Sequence, residues 1–165
     1  PDESALGEFV RQLLAADNNA APALATRLFT LRRYRDGVFL APASEQALPD
    51  AQEILPGQTL DIDGVGRVSL AGARSEPIAS GELVIDFRRG GERCHPVGRS
   101  HSVSLKQWLQ ESGVPPWWRD RIPLLKRAEQ IVCIGGLWEC RDTHSGGDDR
   151  GWKLQWRRNS IAGSD

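Results

Sequence analysis

Between residues 4 and 16 the apolar side chains Leu6, Phe9, Val10, Leu13 and Leu14 recur at helical spacing, which predicts an amphipathic helix. Asp17-Asn18-Asn19 and Pro22 end it. Residues 28–40 are rich in aliphatic and aromatic side chains and are interrupted by Asp36-Gly37, the pattern of a hairpin. Residues 45–56 form a mixed, polar connection. Three strand-like runs follow at 59–62, 65–71 and 83–87, separated by Asp63-Gly64 and by a loop containing Gly72 and Pro77. Gly90-Gly91 then opens an irregular basic loop that reaches Ser102. The helical period returns with Leu105, Trp108 and Leu109 on one stripe. Ser104 and Gln107 have capping-box spacing, and Gly113 stands where a helix ends. Pro115-Pro116 start a short second turn holding Trp117 and Trp118, which Pro123 closes. Strands around 131–134 and 152–156 complete the pattern, and 159–165 is a polar tail. The expected class is α+β: mainly antiparallel sheet with one or two short helices, preceded by a helical segment.

Length changes this picture little, because 165 residues suffice for one compact domain or a small domain plus the edge of another. The hydrophobic fraction of 39% beside a charged fraction of 26% argues against disorder. No apolar run approaches the roughly 20 residues a membrane helix needs. The chain opens at Pro1 within a polar segment and contains no Met, so it reads as a fragment of a longer protein. Cys94, Cys133 and Cys140 are odd in number and irregularly spaced, which suits a reducing cytoplasm better than a disulfide framework.

Charge changes it more. Residues 1–87 hold 7 basic and 13 acidic side chains, and residues 128–165 hold 5 and 6. Residues 88–127 hold 9 basic side chains (Arg88, Arg89, Arg93, Arg99, Lys106, Arg119, Arg121, Lys126 and Arg127) against Glu92, Glu111 and Asp120. Such a block attracts a polyanion, nucleic acid being the commonest; the alternative is a solvated face paired with the acidic remainder.

Within the block, 88–99 joins Gly90-Gly91, which lets backbone approach a ligand closely, to four arginines whose forks match phosphate. The Gly98-Arg99-Ser100 turn and the start of the following helix could add backbone donors. The competing reading is a loop held by Arg–Glu pairs, with Glu92 as one partner. Trp117 and Trp118, flanked by Arg119 and Arg121, read either as a core side chain beside a surface one or as an aromatic platform against RNA. Ser145-Gly146-Gly147-Asp148-Asp149 approximates an ATP-pyrophosphatase phosphate loop, but it lacks the strand before and helix after, and Asp149 would repel phosphate; it reads as a turn. Cys94, His95, His101, Cys133, Cys140 and His144 contain no Cys-x₂₋₄-Cys knuckle, so no metal site is expected. A Cys94–His nucleophile pair lacks an orienting group, so no catalytic residue is assigned.

The strings Arg89-Gly90-Gly91-Glu92-Arg93, Pro96-Val97-Gly98-Arg99, Ser104-Leu105-Lys106, Leu109-Gln110-Glu111-Ser112-Gly113-Val114-Pro115-Pro116-Trp117 with Arg119, and Pro123-Leu124-Leu125 recur in an order and spacing that resembles the C-terminal domain of tRNA(Ile)-lysidine synthases. Gly135-Gly136-Leu137-Trp138 resembles that family's closing strand, and Leu31-Arg32-Arg33-Tyr34-Arg35-Asp36 its junction with a central helical domain. The resemblance covers most of 28–140. Cys94-His95 departs from it, and 146–150 looks like an addition of this chain.

The resemblance implies an ATP-dependent ligase that joins lysine to the wobble cytidine of the CAU anticodon of a minor isoleucine tRNA. ATP and magnesium would be handled by an N-terminal ATP-pyrophosphatase domain absent here, with no cofactor in this fragment. The implied partners are that tRNA and the protein's own N-terminal catalytic domain, with a homodimer of the full-length protein left open. The expected layout is a helical remnant of the central substrate-binding domain at 1–29, a C-terminal tRNA-binding domain at 30–158 and a tail at 159–165. Arg88, Arg89, Arg93, Arg99, Lys106, Trp117, Arg119 and Arg121 are the candidate RNA contacts. The rival expectations are a structural domain that docks on its own catalytic half with little RNA contact, and a self-contained enzyme using Cys94 and His95.

Overall fold

A computed structural model of the chain describes residues 3–15, 22–25, 29–42, 47–71, 78–144 and 152–158. The break at Asp17-Asn18-Asn19, the loop of Gly72 and Pro77, the turn at Ser145 to Asp149, the 146–150 addition and the 159–165 tail lie outside them. The described residues divide between two compact units, one up to Ala47 and one from Leu48. The division between these two units falls after the hairpin, and residue 30, where the expected layout changes domain, lies within a strand.

The first unit holds helix α1 (Glu3–Ala15) and an antiparallel sheet of β1 (Ala23–Ala25), β2 (Phe29–Tyr34) and β3 (Gly37–Pro42), in that order. The helical stripe buries only Phe9, leaving Leu6, Val10 and Leu14 exposed. The β2–β3 hairpin pairs Tyr34 with Gly37. Its turn is thus Arg35-Asp36, one residue earlier than the Asp-Gly signal suggests, and Arg35 takes a left-handed φ of 52°.

The second unit is built on a five-stranded antiparallel sheet ordered β12-β11-β10-β7-β4: β4 (Gln52–Glu53), β7 (Leu83–Asp86), β10 (Leu124–Arg127), β11 (Gln130–Ile134) and β12 (Trp138–Glu139). β4 lies within the segment expected to be a polar connection. A second sheet runs β13-β6-β5, from β5 (Thr59–Ile62), β6 (Gly66–Ala71) and β13 (Lys153–Arg157). The ribbon β8 (Arg93–Cys94) and β9 (Val103–Ser104) leads into helices α2 (Leu105–Glu111) and α3 (Pro116–Arg119).

The larger sheet is covered on both faces. On one side Ile85, Leu125, Val132 and Cys133 join Ile62, Val68, Leu70 and Leu154 of the smaller sheet in one buried cluster. On the other, Leu124, Ile131 and Ile134 join Leu105 and Leu109 of α2, with Cys94 and Cys140. Strands buried on both faces read as continuous apolar runs rather than as alternation. Leu124-Leu125 and Ile131-Val132-Cys133-Ile134 are such runs. The register slips between Leu125 and Lys126, pairing them with Cys133 and Ile131, so Val132 is the extra residue of a bulge and faces the same cluster as Cys133. Both edge strands, β4 and β12, have two residues, too short to template pairing with another chain.

Candidate nucleic-acid interface

Residues 88–104 leave the end of β7 and return to the start of α2. Two consecutive left-handed glycines, Gly90 (φ 116°) and Gly91 (φ 86°), reverse the chain. Two of the donors at this turn are occupied: a Glu92 carboxylate oxygen accepts from the Arg89 amide, and both its oxygens accept from the Gly90 amide at 2.9 Å. Burial pushes the Glu92 carboxyl up. The amides of Arg89, Glu92 and Gly90, with the Arg88 guanidinium nearby, outweigh this and hold it below the usual carboxylate range. Glu92 is therefore a partner of backbone amides rather than of arginine side chains.

The Glu92 carbonyl also accepts from the Leu105 amide at 3.0 Å, so one residue ties the glycine turn to the start of α2. The expected side-chain cap is absent: Ser104 makes no capping hydrogen bond, and Gln107 donates instead to Glu111 at 2.7 Å. The other end of α2 is as expected. Gly113 (φ 77°) donates to Gln110 and Val114 to Leu109, the paired bonds of a Schellman motif, with Val114 packed on the Leu109 cluster. Pro115 and Pro116 then set α3.

The structure separates the nine basic side chains of 88–127 by what holds them. Arg88 is mostly buried and pairs with Asp120. Arg121 is 7% exposed, and its Nη1 donates to the Gly64 carbonyl at 3.2 Å, so it is committed to the fold rather than presented to a ligand. Arg119 is half-buried and donates through Nε to the Val114 carbonyl at 2.8 Å, closing the α2–α3 corner. Lys126 bonds Asp86 at 2.7 Å, and Arg127 is buried between Glu82 and Asp142. Trp117 is half-buried on α3.

Arg89, Arg93, Arg99 and Lys106 are exposed. Arg89 reaches Asp86 only at 3.6 Å. Arg93 spans the β8–β9 ribbon to the Ser102 carbonyl at 2.8 Å and its hydroxyl at 3.1 Å. Arg99 follows a turn in which Gly98 (φ 87°) supplies the left-handed position and Arg99 N–H bonds the Pro96 carbonyl at 3.1 Å, a type II arrangement. Its guanidinium lies 5.0 Å from the Trp108 centroid, and Trp108 meets Trp138 edge-on at 5.8 Å. Lys106 stands in the first turn of α2 beside the residue bonded to Glu92. The exposed cations thus sit on one loop and the helix turn it ends in.

Cys94, Cys133 and Cys140 are free and buried. Burial pushes the Cys133 thiol up to about 12, and its Sγ donates to the Trp152 carbonyl at 2.8 Å. Cys94 and Cys140 share a sulfur hydrogen bond, which lowers the first and raises the second. His95 Nε2 is 2.9 Å from the Arg99 carbonyl oxygen. Cys94 and His95 are therefore occupied within the fold, which does not suit a solvent-facing nucleophile pair. Among the described residues no three His, Cys, Asp or Glu side chains converge as a metal-binding group, and no helix is long and apolar enough to cross a membrane.

One basic group escaped the charge reading. Arg158, beyond β13, lies 5.0 Å from the Trp118 centroid and 5.9 Å from that of Trp156. The string Trp156-Arg157-Arg158 was the available signal, outside the basic block.

Residues 83–156 match the family profile described as the TilS substrate C-terminal domain. The chain is 33% identical over 157 residues to the tRNA(Ile)-lysidine synthase of Pectobacterium atrosepticum, covering 90% of this chain and 34% of that protein. It is 26% identical over 165 residues to that of Coxiella burnetii, covering 94% and 36%. With that of Alkalilimnicola ehrlichii it shares 33% over 144 residues, covering 83% and 32%. The chain therefore spans about a third of the length of the curated relatives it matches. The matched segment begins at β7 and contains the loop, α2, α3 and the nine basic side chains of 88–127, and it ends two residues before Arg158. With that segment as its TilS substrate C-terminal domain, the chain belongs to the tRNA(Ile)-lysidine synthase family.

Proposed function

We propose that this chain is the tRNA-gripping part of a cytoplasmic tRNA(Ile)-lysidine synthase and supplies binding rather than chemistry. The observation that carries the reading is the division among the cations. Arg88, Arg121, Lys126 and Arg127 are spent inside the fold, whereas Arg89, Arg93, Arg99 and Lys106 stand exposed on one braced loop and helix turn. A-form RNA hides its base edges in a deep, narrow groove, so a protein grips it through phosphates, shape and 2′-hydroxyls. Exposed guanidinium forks on a fixed loop suit phosphates. The substrate in this reading is the isoleucine tRNA with a CAU anticodon. ATP, magnesium and the lysine-transfer chemistry belong to the part of the full-length protein that the relatives have beyond this third.

The test is a titration of the chain with that tRNA, a methionine tRNA and a generic RNA duplex over a range of salt. Each phosphate contact contributes roughly 0.9 to the slope of log affinity against log salt in duplexes. A steep slope with preference for the isoleucine tRNA is the expected result. Equal affinity for all three would make the domain a clamp without discrimination. Absence of binding at low salt, with binding to the separately expressed catalytic half, would overturn the reading in favour of a docking domain.

A further inference from the structure

The loop is not the only place where an arginine is held ready. Trp118 of α3 and Trp156 of β13 meet edge-on, with centroids 6.2 Å apart, and Arg158 lies over both rings. The platform is fixed from below: Trp156 Nε1 donates to the Val65 carbonyl at 3.1 Å. Attraction between a cation and an aromatic face needs no hydrogen bond, so the N–H donors of Arg158 are not consumed in holding it. The side chain is exposed and forms no ion pair among the described residues. Its neighbour Arg157 is exposed too and stands directly opposite Arg67 on β6, whose charge is matched by Asp61 at 2.8 Å. Directly opposed residues of an antiparallel pair share a face, and like charges there repel. This sheet end therefore carries uncompensated positive charge, which a polyanion would relieve.

The same construction occurs at Arg99, held over Trp108 with Trp138 edge-on. In each case one Trp comes from a helix of the α2–α3 pair, the other from a strand, and the arginine from a neighbouring loop or strand end. We propose that Arg158, shelved on Trp118 and Trp156 and supported by Arg157, is a second phosphate-gripping site for duplex RNA, separate from the 88–104 loop. One platform uses Trp108 of α2 and the other Trp118 of α3, the two helices that Pro115-Pro116 joins. The proposal rests on the RNA-binding reading and adds a contact point to it.

The probe is a short RNA hairpin duplex, titrated with the 165-residue chain by filter binding across salt, comparing wild type with Arg158→Gln, Arg158→Lys and Arg93→Gln. Losing one phosphate contact lowers the salt slope by about one and the affinity about eightfold at 0.1 M salt. That is the result expected of Arg158→Gln at an unchanged thermal midpoint. Arg158→Lys should keep most of the slope, because the charge remains. On the wild-type chain, saturating RNA should also protect Arg158 from phenylglyoxal, read by peptide mass spectrometry, so the test does not depend on a variant folding. If Arg93→Gln lowers affinity and slope while Arg158→Gln changes neither and Arg158 stays reactive, the second site is overturned and the RNA reading stands. If the wild-type chain binds the hairpin without salt dependence, both fall.

Discussion

Asp142 shows how a single residue is held by several elements. Its carboxylate receives Trp152 Nε1 at 3.0 Å, Arg127 Nη1 at 3.2 Å and the His144 amide at 3.0 Å. Burial pushes its carboxyl up, but those three donors outweigh it and the group stays below the usual range. Asp86, held down mainly by Lys126 against burial, and Glu82, held by the Ala79 amide and Arg127, shift the same way. A carboxyl depressed by folding binds fewer protons folded than unfolded, so its contribution is present above the unfolded value, near 4, and lost as pH falls through the folded value. Urea midpoints should accordingly be flat from neutral pH down to about 5 and drop below about 4. Asp142→Asn should cost about 2–4 kcal/mol at neutral pH, since it leaves a buried guanidinium partly unpaired, and should make the acid drop shallower. A variant with wild-type pH dependence would show that the Asp142 carboxylate contributes nothing to the acid transition. The same separation applies to arginines. Arg121→Gln should lower the thermal midpoint, whereas Arg93→Gln should weaken RNA binding at an unchanged midpoint. Nothing in the linear chain distinguishes these two side chains. The partner that decides the matter is Gly64, 57 positions from Arg121, and folding brings the two together.

Among elements, the legible ones were those with a period or a local signal. The strands at Thr59–Ile62 and Gly66–Ala71 and helix α2 with its Gly113 terminus follow from alternation, stripe and cap residue. β10 was missed because Leu124-Leu125-Lys126-Arg127 is buried on both sides and shows no alternation. The two-residue strands β4, β8 and β9 exist through tertiary pairing and leave no local trace, and β12 was legible through the string Gly135-Gly136-Leu137-Trp138 that resembles the family's closing strand. The basic loop was legible as a loop, but its internal bonding was not. The glycine turn that looked open to phosphate is filled by Glu92, whose carbonyl also engages α2. Two arguments then predict opposite outcomes for Glu92→Ala. Simple charge says that removing an anion beside four cations tightens RNA binding. Preorganisation says that releasing the Arg89 and Gly90 amides and loosening the turn disperses Arg89 and Arg93 and weakens it. The geometry favours the second, because the carboxylate is bonded to the Arg89 and Gly90 amides that shape the turn. At constant salt Glu92→Ala should bind RNA several-fold more weakly, with Glu92→Gln intermediate because its amide oxygen still accepts. Tighter binding by the alanine variant would restore the charge argument.

At the scale of the molecule, burial is divided unequally. Both apolar clusters of the second unit draw on residues from Leu48 onward, and they include large, fully buried side chains such as Phe87, Ile85, Leu105, Leu109 and Leu125. Among the described residues of the first unit, Phe9 and Ala41 are the buried apolar side chains, while Leu6, Val10, Leu14, Val38, Phe39 and Leu40 are exposed. Apolar burial contributes about 25 cal/mol per Å² and must exceed roughly 1–2 kcal/mol of backbone entropy per ordered residue. With so little apolar burial among its described residues, a segment shorter than about 50 residues falls short of that. The two units therefore differ in what they can do alone. Residues 48–160 expressed separately should melt cooperatively, within a few degrees of the whole chain, and keep the salt-dependent RNA affinity. Residues 1–47 alone should show no cooperative transition by circular dichroism. The outcome has functional meaning, because the loop, α2, α3 and the Trp118–Arg158 platform all lie in the second unit. Cooperative folding of 48–160 without RNA affinity would mean that the first unit contributes to the grip. Loss of cooperative folding would mean that the core, though complete in its own residues, needs the preceding unit to close.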